Sequence, residues 1–102
     1  MTPWLSLIGI GEDGAEALSP AAKRLIECAE LVVGGKRHLA LAGNLPGEAL
    51  AWPSPLTDAF PAILERRGRP VAVLASGDPY FHGVGSALAR EIAPHEMICL
   101  PA

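Results

Sequence analysis

The sequence predicts an open α/β fold in which a mainly parallel sheet is covered by helices on both faces. Short apolar runs typical of buried strands alternate along the chain with segments whose apolar residues recur at helical spacing. Glycine and proline mark the boundaries between these segments. Strands that alternate with helices favour crossover connections, which pair the strands in parallel and cover both faces of the sheet.

The first half of the chain predicts two strands, a helix and one ambiguous stretch. WLSLIGIG and ELVVGG are strand-like. Between them, Ser19 provides an N-cap and Pro20 a first helical residue, for a helix that ends near Glu30. Residues 39–55 contain several helix breakers, and they are interpreted as one helical turn and a short strand around Ala49 to Trp52.

The second half predicts two helices and two strands. LTDAFPAILERRG is typical of a helix with Pro61 near its first turn and Gly68 as its stop. A strand over Val71 to Ala75 follows, then a helix around Val84 to Ala93, and EMICLPA forms the last strand. That final strand has no helix after it, so we expect the natural chain to continue.

Composition excludes several classes of function. The chain has 102 residues, enough for one compact unit, and its net charge of -3 disfavours nucleic acid as a partner. No apolar run approaches the ~18 residues that span a bilayer, so we expect no membrane insertion. The N-terminus lacks the basic region of a signal peptide, which makes the cytoplasm the expected location. Half of the residues are hydrophobic, which indicates a face that contacts something else.

Cysteine and histidine give no sign of a metal site. Cys28 and Cys99 are far apart in sequence and form no CxxC, so we expect two buried free thiols. The histidines at 38, 82 and 95 follow no ligand spacing, and no hydrolytic triad can be assembled from them.

Three small-residue loops each follow a predicted strand. GIGEDG, at Gly9 to Gly14, matches the dinucleotide fingerprint, but the next helix starts five residues later and the second strand closes without the expected acid. A nucleotide site and a simple tight turn both stay open for it. GGKRHL, at Gly34 to Leu39, places a cationic cluster that either holds a carboxylate-rich ligand or is a solvated turn.

The third loop, ASGDPYFHGVGS, begins at Ala75. Gly77 allows close backbone approach, and Asp78 can cap the N–H groups that follow it. Because the carboxyl ends of parallel strands meet at one end of a sheet, the three loops are best explained by a shared ligand crevice.

In this order the loops resemble those of the tetrapyrrole (corrin/porphyrin) methylases. VVGGKRHL and ASGDPYFHGVGS carry the resemblance, which runs over nearly all of the chain. It implies methyl transfer from S-adenosylmethionine to a ring carbon of a precorrin in cobalamin biosynthesis, in a cleft between two α/β domains. Modules of that family are longer, so residues 1–102 would be the N-terminal α/β domain, with the second half absent.

The resemblance also implies roles for individual residues. Cofactor contacts fall on Glu12, Ser76, Gly77, Asp78 and Phe81. We expect substrate contacts from Lys36, Arg37, His38, Tyr80 and His82. Glu12-Asp13 stand where many members have Pro-Gly, and Gly35 stands where some have an acid, so no catalytic base is assigned.

Two other functions stay open, a nucleotide- or NAD-binding domain and a noncatalytic dimerisation module. Under the methylase reading we expect a homo-oligomer and no metal, and we expect the 102 residues alone not to turn over.

Overall fold

A computed structural model describes residues 3–10, 18–43, 47–53, 56–76, 88 and 90–100. Five strands alternate with three helices in these ranges. The strands are β1 (Leu5–Ile10), β2 (Leu31–Gly34), β3 (Glu48–Ala51), β4 (Val71–Ser76) and β5 (Met97–Leu100). The helices are α1 (Pro20–Cys28), α2 (Lys36–Ala42) and α3 (Phe60–Leu64). Residues 88, 90 and 91, between β4 and β5, are also helical.

The five strands form one parallel sheet in the order β3-β2-β4-β1-β5. β4 lies between β1 and β2, although it follows both of them in the chain. Its register with β1 pairs Leu5 with Val71 at one end and Ile10 with Ser76 at the other. The parallel sheet expected from alternating strands and helices is thereby confirmed.

Each face of the sheet is covered by its own set of apolar side chains. The face that carries Leu7, here the Leu7 face, packs against Phe60 and Ile63 of α3 and against Leu88 and Ile92. The opposite face, here the Ile8 face, packs against α1 and α2. On the Leu7 face the strands contribute Leu5, Leu7, Leu31, Val33, Val71 and Val73. On the Ile8 face they contribute Ile8, Ile10, Val32, Ala72 and Leu74.

Helix α1 begins as its sequence predicts. The Ser19 hydroxyl accepts a hydrogen bond from the backbone N–H of Ala22 at 3.1 Å, and Pro20 is the first helical residue. Ala22 and Ile26 are buried one turn apart, which seats the helix on the Ile8 face. The helix ends at Cys28, two residues before the predicted Glu30.

The segment before β4 is shorter as a helix than its sequence predicts. Leu56–Ala59 form a 3₁₀ turn, and the α-helix proper spans only Phe60–Leu64. Pro61 lies in its first turn, where a missing N–H costs nothing. The predicted stop at Gly68 is not observed, because the α-helix already ends at Leu64 and Gly68, with φ of 89°, lies at the end of the turn that follows. Of the helix predicted around Val84 to Ala93, only the part from residue 88 lies within the described residues.

Two further predictions, on GGKRHL and on the burial of the cysteines, are wrong. GGKRHL is not a loop, because Lys36, Arg37 and His38 form the first turn of α2. Cys28 is exposed rather than buried, since it lies on the outer side of α1, and Cys99 on the edge strand β5 is only half-buried. Burial of β5 is incomplete because β5 has a strand neighbour on one side only.

The amino end of the sheet is held by a buried carboxylate. Glu96 is 1% exposed, and its side chain accepts hydrogen bonds from Trp4 Nε1 at 2.9 Å and from two nitrogens of Arg67 at 2.8 and 2.7 Å. These hydrogen bonds hold the pKa of Glu96 well below its usual range, at about 2, with Arg67 the larger cause. The cluster joins the start of β1, the start of β5 and the turn after α3.

Candidate functional site

The carboxyl ends of the strands gather at one end of the sheet. β1 ends at Ile10 and β4 at Ser76, and the register places these two residues side by side. β2 ends at Gly34 on the other side of β4. The three segments singled out in the sequence therefore all start from this carboxyl end, which confirms that their strands point the same way.

The strand order places a topological switch point between β1 and β4, and the space beyond these two strand ends is here called the crevice. From β1 the chain continues to β2, which lies beyond β4, by way of α1 on the Ile8 face. From β4 it continues to β5, which lies beyond β1, by way of Leu88 and Ile92 on the Leu7 face. The two connections thus leave adjacent strand ends in opposite directions. In open α/β sheets such a switch point is where ligands bind.

Helix α2 adds basic side chains to this end of the sheet. Gly35 is its N-cap residue, with extended backbone and no side-chain cap, so α2 starts directly beyond β2. Lys36 and Arg37 are exposed in its first turn. The ion pairs Arg66–Glu48, Arg67–Glu96 and Arg69–Glu30 lie at the amino end of the sheet. Basic groups at the carboxyl end suit a ligand that carries carboxylates.

His38 folds back against the end of β2. A Cβ placed on Gly35 would lie 3.4 Å from Nδ1 of His38, so the imidazole packs over this glycine. A Cβ on Gly34 would lie 3.6 Å from the Cβ of His38 and 3.1 Å from the Cβ of Leu74 in β4. Because Gly34 and Gly35 have no side chains, His38 and Leu74 of β4 can both pack closely against the end of β2. Partial burial, and next the charge of Arg37, lower the pKa of His38.

Most of the other predicted site residues lie outside the described residues. These are Glu12, Gly77, Asp78, Tyr80, Phe81 and His82. Their positions in the chain are nevertheless informative, since Gly77 and Asp78 directly follow the last residue of β4, Ser76. Glu12 comes two residues after Ile10, the last residue of β1. The predicted cofactor residues therefore flank both sides of the crevice along the chain.

Two features of the carboxyl end of the sheet were not predicted from the sequence. The strand order, which puts β1 beside β4, has no local signal, because it depends on which apolar faces find each other. The start of α2 was missed because Gly34 and Gly35 are typical of a turn. The run Leu39, Leu41 and Ala42, which packs on the Ile8 face, is the signal that favours a helix instead.

The described residues limit other kinds of site. They contain no group of three or more His, Cys, Asp or Glu side chains able to hold a metal ion. Among them there is also no helix long and apolar enough to cross a membrane. An apolar groove of about 500 Å³ lies between α1 and β5, lined by Pro20, Ala21, Arg24, Leu25, Ile98 and Leu100.

Comparison with known proteins gives a family match over nearly the whole chain. The family model described as tetrapyrrole (corrin/porphyrin) methylases matches residues 5–99. The matched segment runs from the first residue of β1 to the penultimate residue of β5, and so includes every strand.

Individual relatives are similar at high identity. A precorrin-6Y C(5,15)-methyltransferase [decarboxylating] from Sinorhizobium sp is 57% identical over 103 residues, covering 100% of this chain and 25% of the relative. A cobalt-precorrin-7 C(5)-methyltransferase from Salmonella typhimurium is 34% identical, covering 95% of this chain and 48% of the relative. A precorrin-6Y C(5,15)-methyltransferase from Mycobacterium tuberculosis is 37% identical, covering 93% and 24%. The chain thus spans about a quarter to a half of the length of these relatives.

Proposed function

This chain belongs to the tetrapyrrole (corrin/porphyrin) methylase family, and on that premise we propose that it forms one wall of a site where S-adenosylmethionine methylates a ring carbon of a precorrin in cobalamin biosynthesis. The observation that carries the proposal is the switch-point crevice between β1 and β4. Both glycine-containing segments that the family resemblance assigns to the cofactor begin at this crevice.

The chain positions next to the ends of β1 and β4 suit an adenosyl cofactor. A nucleoside-like ligand binds where parallel strands end and glycine lets backbone approach it. Gly11 follows β1 directly and Gly77 follows β4 directly, so both walls of the crevice continue into glycine. We assign cofactor contacts to Glu12, Ser76, Gly77, Asp78 and Phe81. When bound, the cofactor supplies an electrophilic methyl group on a sulfonium sulfur.

The substrate side of the site is assigned to α2 and the loop after β4. Precorrins carry several carboxylates, and Lys36 and Arg37 offer exposed cations at the carboxyl end of β2. His38, Tyr80 and His82 complete the proposed substrate set. The protein's task is to hold the ring carbon in line with the methyl group and to exclude water, which is mainly positioning.

The state of the complete enzyme is part of the proposal. We propose that residues 1–102 are the N-terminal half of a methylase module that works in the cytoplasm as a homo-oligomer. The Sinorhizobium and Mycobacterium relatives are named for two ring positions, C(5) and C(15), and the Salmonella relative for C(5) alone. Support for the half-module comes from the relatives' greater length.

Calorimetry tests the cofactor class. The protein at its full natural length is titrated with S-adenosylhomocysteine and, separately, with NAD. We expect binding of S-adenosylhomocysteine only. Binding of NAD in its place would favour a nucleotide-binding domain, and binding of neither would favour a noncatalytic module. Methyl transfer is then followed by mass spectrometry with a precorrin substrate, where a gain of at least one methyl group is expected.

A further inference from the structure

His38 packs against the end of β2 and is partly buried, which a residue that only contacts substrate would not need to be. Its imidazole packs over Gly35, and its Cβ shares the space above Gly34 with Leu74 of β4. Leu74 is two residues before Ser76, where β4 ends at the crevice. The side chain is half-buried, whereas Lys36 and Arg37 on the same turn are exposed. The fold therefore holds the His38 imidazole at the carboxyl end of β2, next to β4, shielded in part from water.

We propose that His38 accepts the proton that the methylated ring carbon must lose. The inference rests on the proposed function and adds a catalytic residue to it. Lys36 and Arg37 are unsuited to this role, because an ammonium or a guanidinium is a donor with no acceptor site. A neutral imidazole has one nitrogen that accepts and one that donates.

The electrons balance as follows in the proposed reaction. A π pair of the ring forms the new carbon–carbon bond to the methyl group, and the pair of the sulfur–methyl bond stays on sulfur. A ring carbon that carried hydrogen then bears both hydrogen and methyl and has left the conjugated system. Loss of that hydrogen as a proton returns the C–H pair to the ring. The proton binds an imidazole nitrogen of His38 and later passes to water.

The protonation state of His38 agrees with this role. Burial, followed by the nearby charge of Arg37, holds the pKa of His38 below its ordinary value of 6.5, which favours the neutral imidazole. Of the four strands that α2 packs against, β1, β2 and β4 carry no ionisable side chain, and β3 carries only Glu48. The Glu48 carboxylate lies 3.2 Å from Arg66. Burial and the charge of Arg37 both favour the form of His38 that accepts a proton.

The test replaces His38 in the protein at its full natural length. His38→Gln keeps a polar side chain but removes the titrating nitrogen, and His38→Asn is a second, smaller replacement. The matched control is His95→Gln, the same change at an exposed histidine at the amino end of the sheet. Each variant is assayed for methyl transfer over a range of pH, and S-adenosylhomocysteine binding is measured by calorimetry.

We expect kcat to fall about 100-fold or more in both His38 variants, as for loss of a general base. The Kd of S-adenosylhomocysteine should stay within threefold, which also shows that the variants fold, and KM should change far less than kcat. The wild-type kcat should decline as pH drops through the His38 pKa, below 6.5, and this decline should vanish in the variants. His95→Gln should behave as wild type.

The assays distinguish failure of the proposed function from failure of the proposed role of His38. A wild-type protein without methyl transfer would overturn the proposed function itself. An active wild type whose His38 variants keep their kcat would overturn only the role of His38. A raised KM with unchanged kcat would reduce His38 to a substrate contact, and so would an acid decline that persists in the variants.

Discussion

Gly47 marks a close approach between two segments of backbone. A Cβ on Gly47 would overlap the carbonyl oxygen of Ala29 and come within 2.9 Å of that of Glu30. The next residue, Glu48, donates its N–H to the Glu30 carbonyl at 2.9 Å, which aligns β3 with β2. Glycine is required here by space, since no side chain fits between the two strands' starting points.

Gly47→Ala should therefore destabilise the protein by about 1–3 kcal/mol, because a methyl group against fixed backbone forces the strands apart. Urea unfolding measures the change. Gly34→Ala is a graded comparison, since its methyl would stand 3.1 Å from the Cβ of Leu74 and should cost less. Equal stability of Gly47→Ala and wild type would contradict the close approach.

At Gly77 the expected effect is on binding. Gly77 follows the last residue of β4, at the proposed cofactor crevice. A β-branched side chain there would block backbone approach to the ligand, so Gly77→Val should raise the Kd of S-adenosylhomocysteine at least about tenfold, or ~1.4 kcal/mol. Circular dichroism should show the fold intact. An unchanged Kd in calorimetry would remove this segment from the cofactor site.

Helix α1 shows how a single element is delimited by local chemistry. Its first turn has no acidic residue that could interact favourably with the helix dipole. The Ser19 hydroxyl caps the helix by accepting a hydrogen bond from the Ala22 N–H. Helix α1 packs on the Ile8 face, and the chain leads into its start from the carboxyl end of β1, where the proposed site lies.

Ser19→Ala should lower the free energy of unfolding by about 1 kcal/mol, the usual effect of losing an N-cap acceptor. Ser19→Asp keeps an acceptor and should stay within about 0.5 kcal/mol of wild type. Thermal unfolding of the two variants side by side measures the difference. If aspartate and alanine destabilise equally, the cap contributes nothing.

Strand β5 depends on the Glu96 cluster. The pKa of Glu96 is depressed to about 2 from an ordinary 4.5, chiefly by its hydrogen bonds from Arg67 and then from Trp4. A depressed carboxyl pKa contributes stability that is present above the unfolded value and is lost as pH falls through the folded one. Its contribution should therefore disappear between about pH 4.5 and pH 2.

Glu96→Gln tests this contribution. The glutamine cannot form the ion pair with Arg67, so the variant should melt at a lower temperature than wild type at pH 7. Below pH 4.5 the two melting temperatures should converge, because the unfolded wild-type chain binds a proton at Glu96 while the folded chain stays ionised down to about pH 2. A constant gap in melting temperature from pH 7 to pH 2 would mean that Glu96 does not titrate in this range.

At the scale of the whole molecule, the strand order determines where the proposed ligand site lies. Placing β4 between β2 and β1 makes the chain leave two adjacent strands in opposite directions, and that opens the crevice. The same order leaves β5 at one edge, half-buried, beside the apolar groove on α1.

We expect residues 1–102 alone to fold but not to turn over, since the proposed cleft needs a second wall for water exclusion and in-line positioning. Apolar surface such as the groove between α1 and β5 should be covered by self-association. Light scattering should give at least a dimer, and a methyl-transfer assay should give no product beside the full-length protein. A monomer with near-normal turnover would contradict both expectations.

Much of this protein can be derived from local sequence alone. The strands and the cap at Ser19 follow from side-chain spacing and backbone preference, which act within a few residues. The motifs after β2 and β4 likewise point to the carboxyl end of a sheet. Exposure of Cys28 and the true start of α2 did not follow, because each depends on which side of a helix packs against a strand.

The position of β4 between β1 and β2 is decided only in the tertiary structure. Strand neighbours are chosen by the fit of apolar faces between segments tens of residues apart, and no short-range signal encodes that choice. For the same reason the hydrogen bonds that join Trp4 to Glu96, and the packing of His38 over Gly35, become visible only when the sheet is assembled. Local spacing makes the elements, and the burial of two apolar faces at once sets the order that places the crevice.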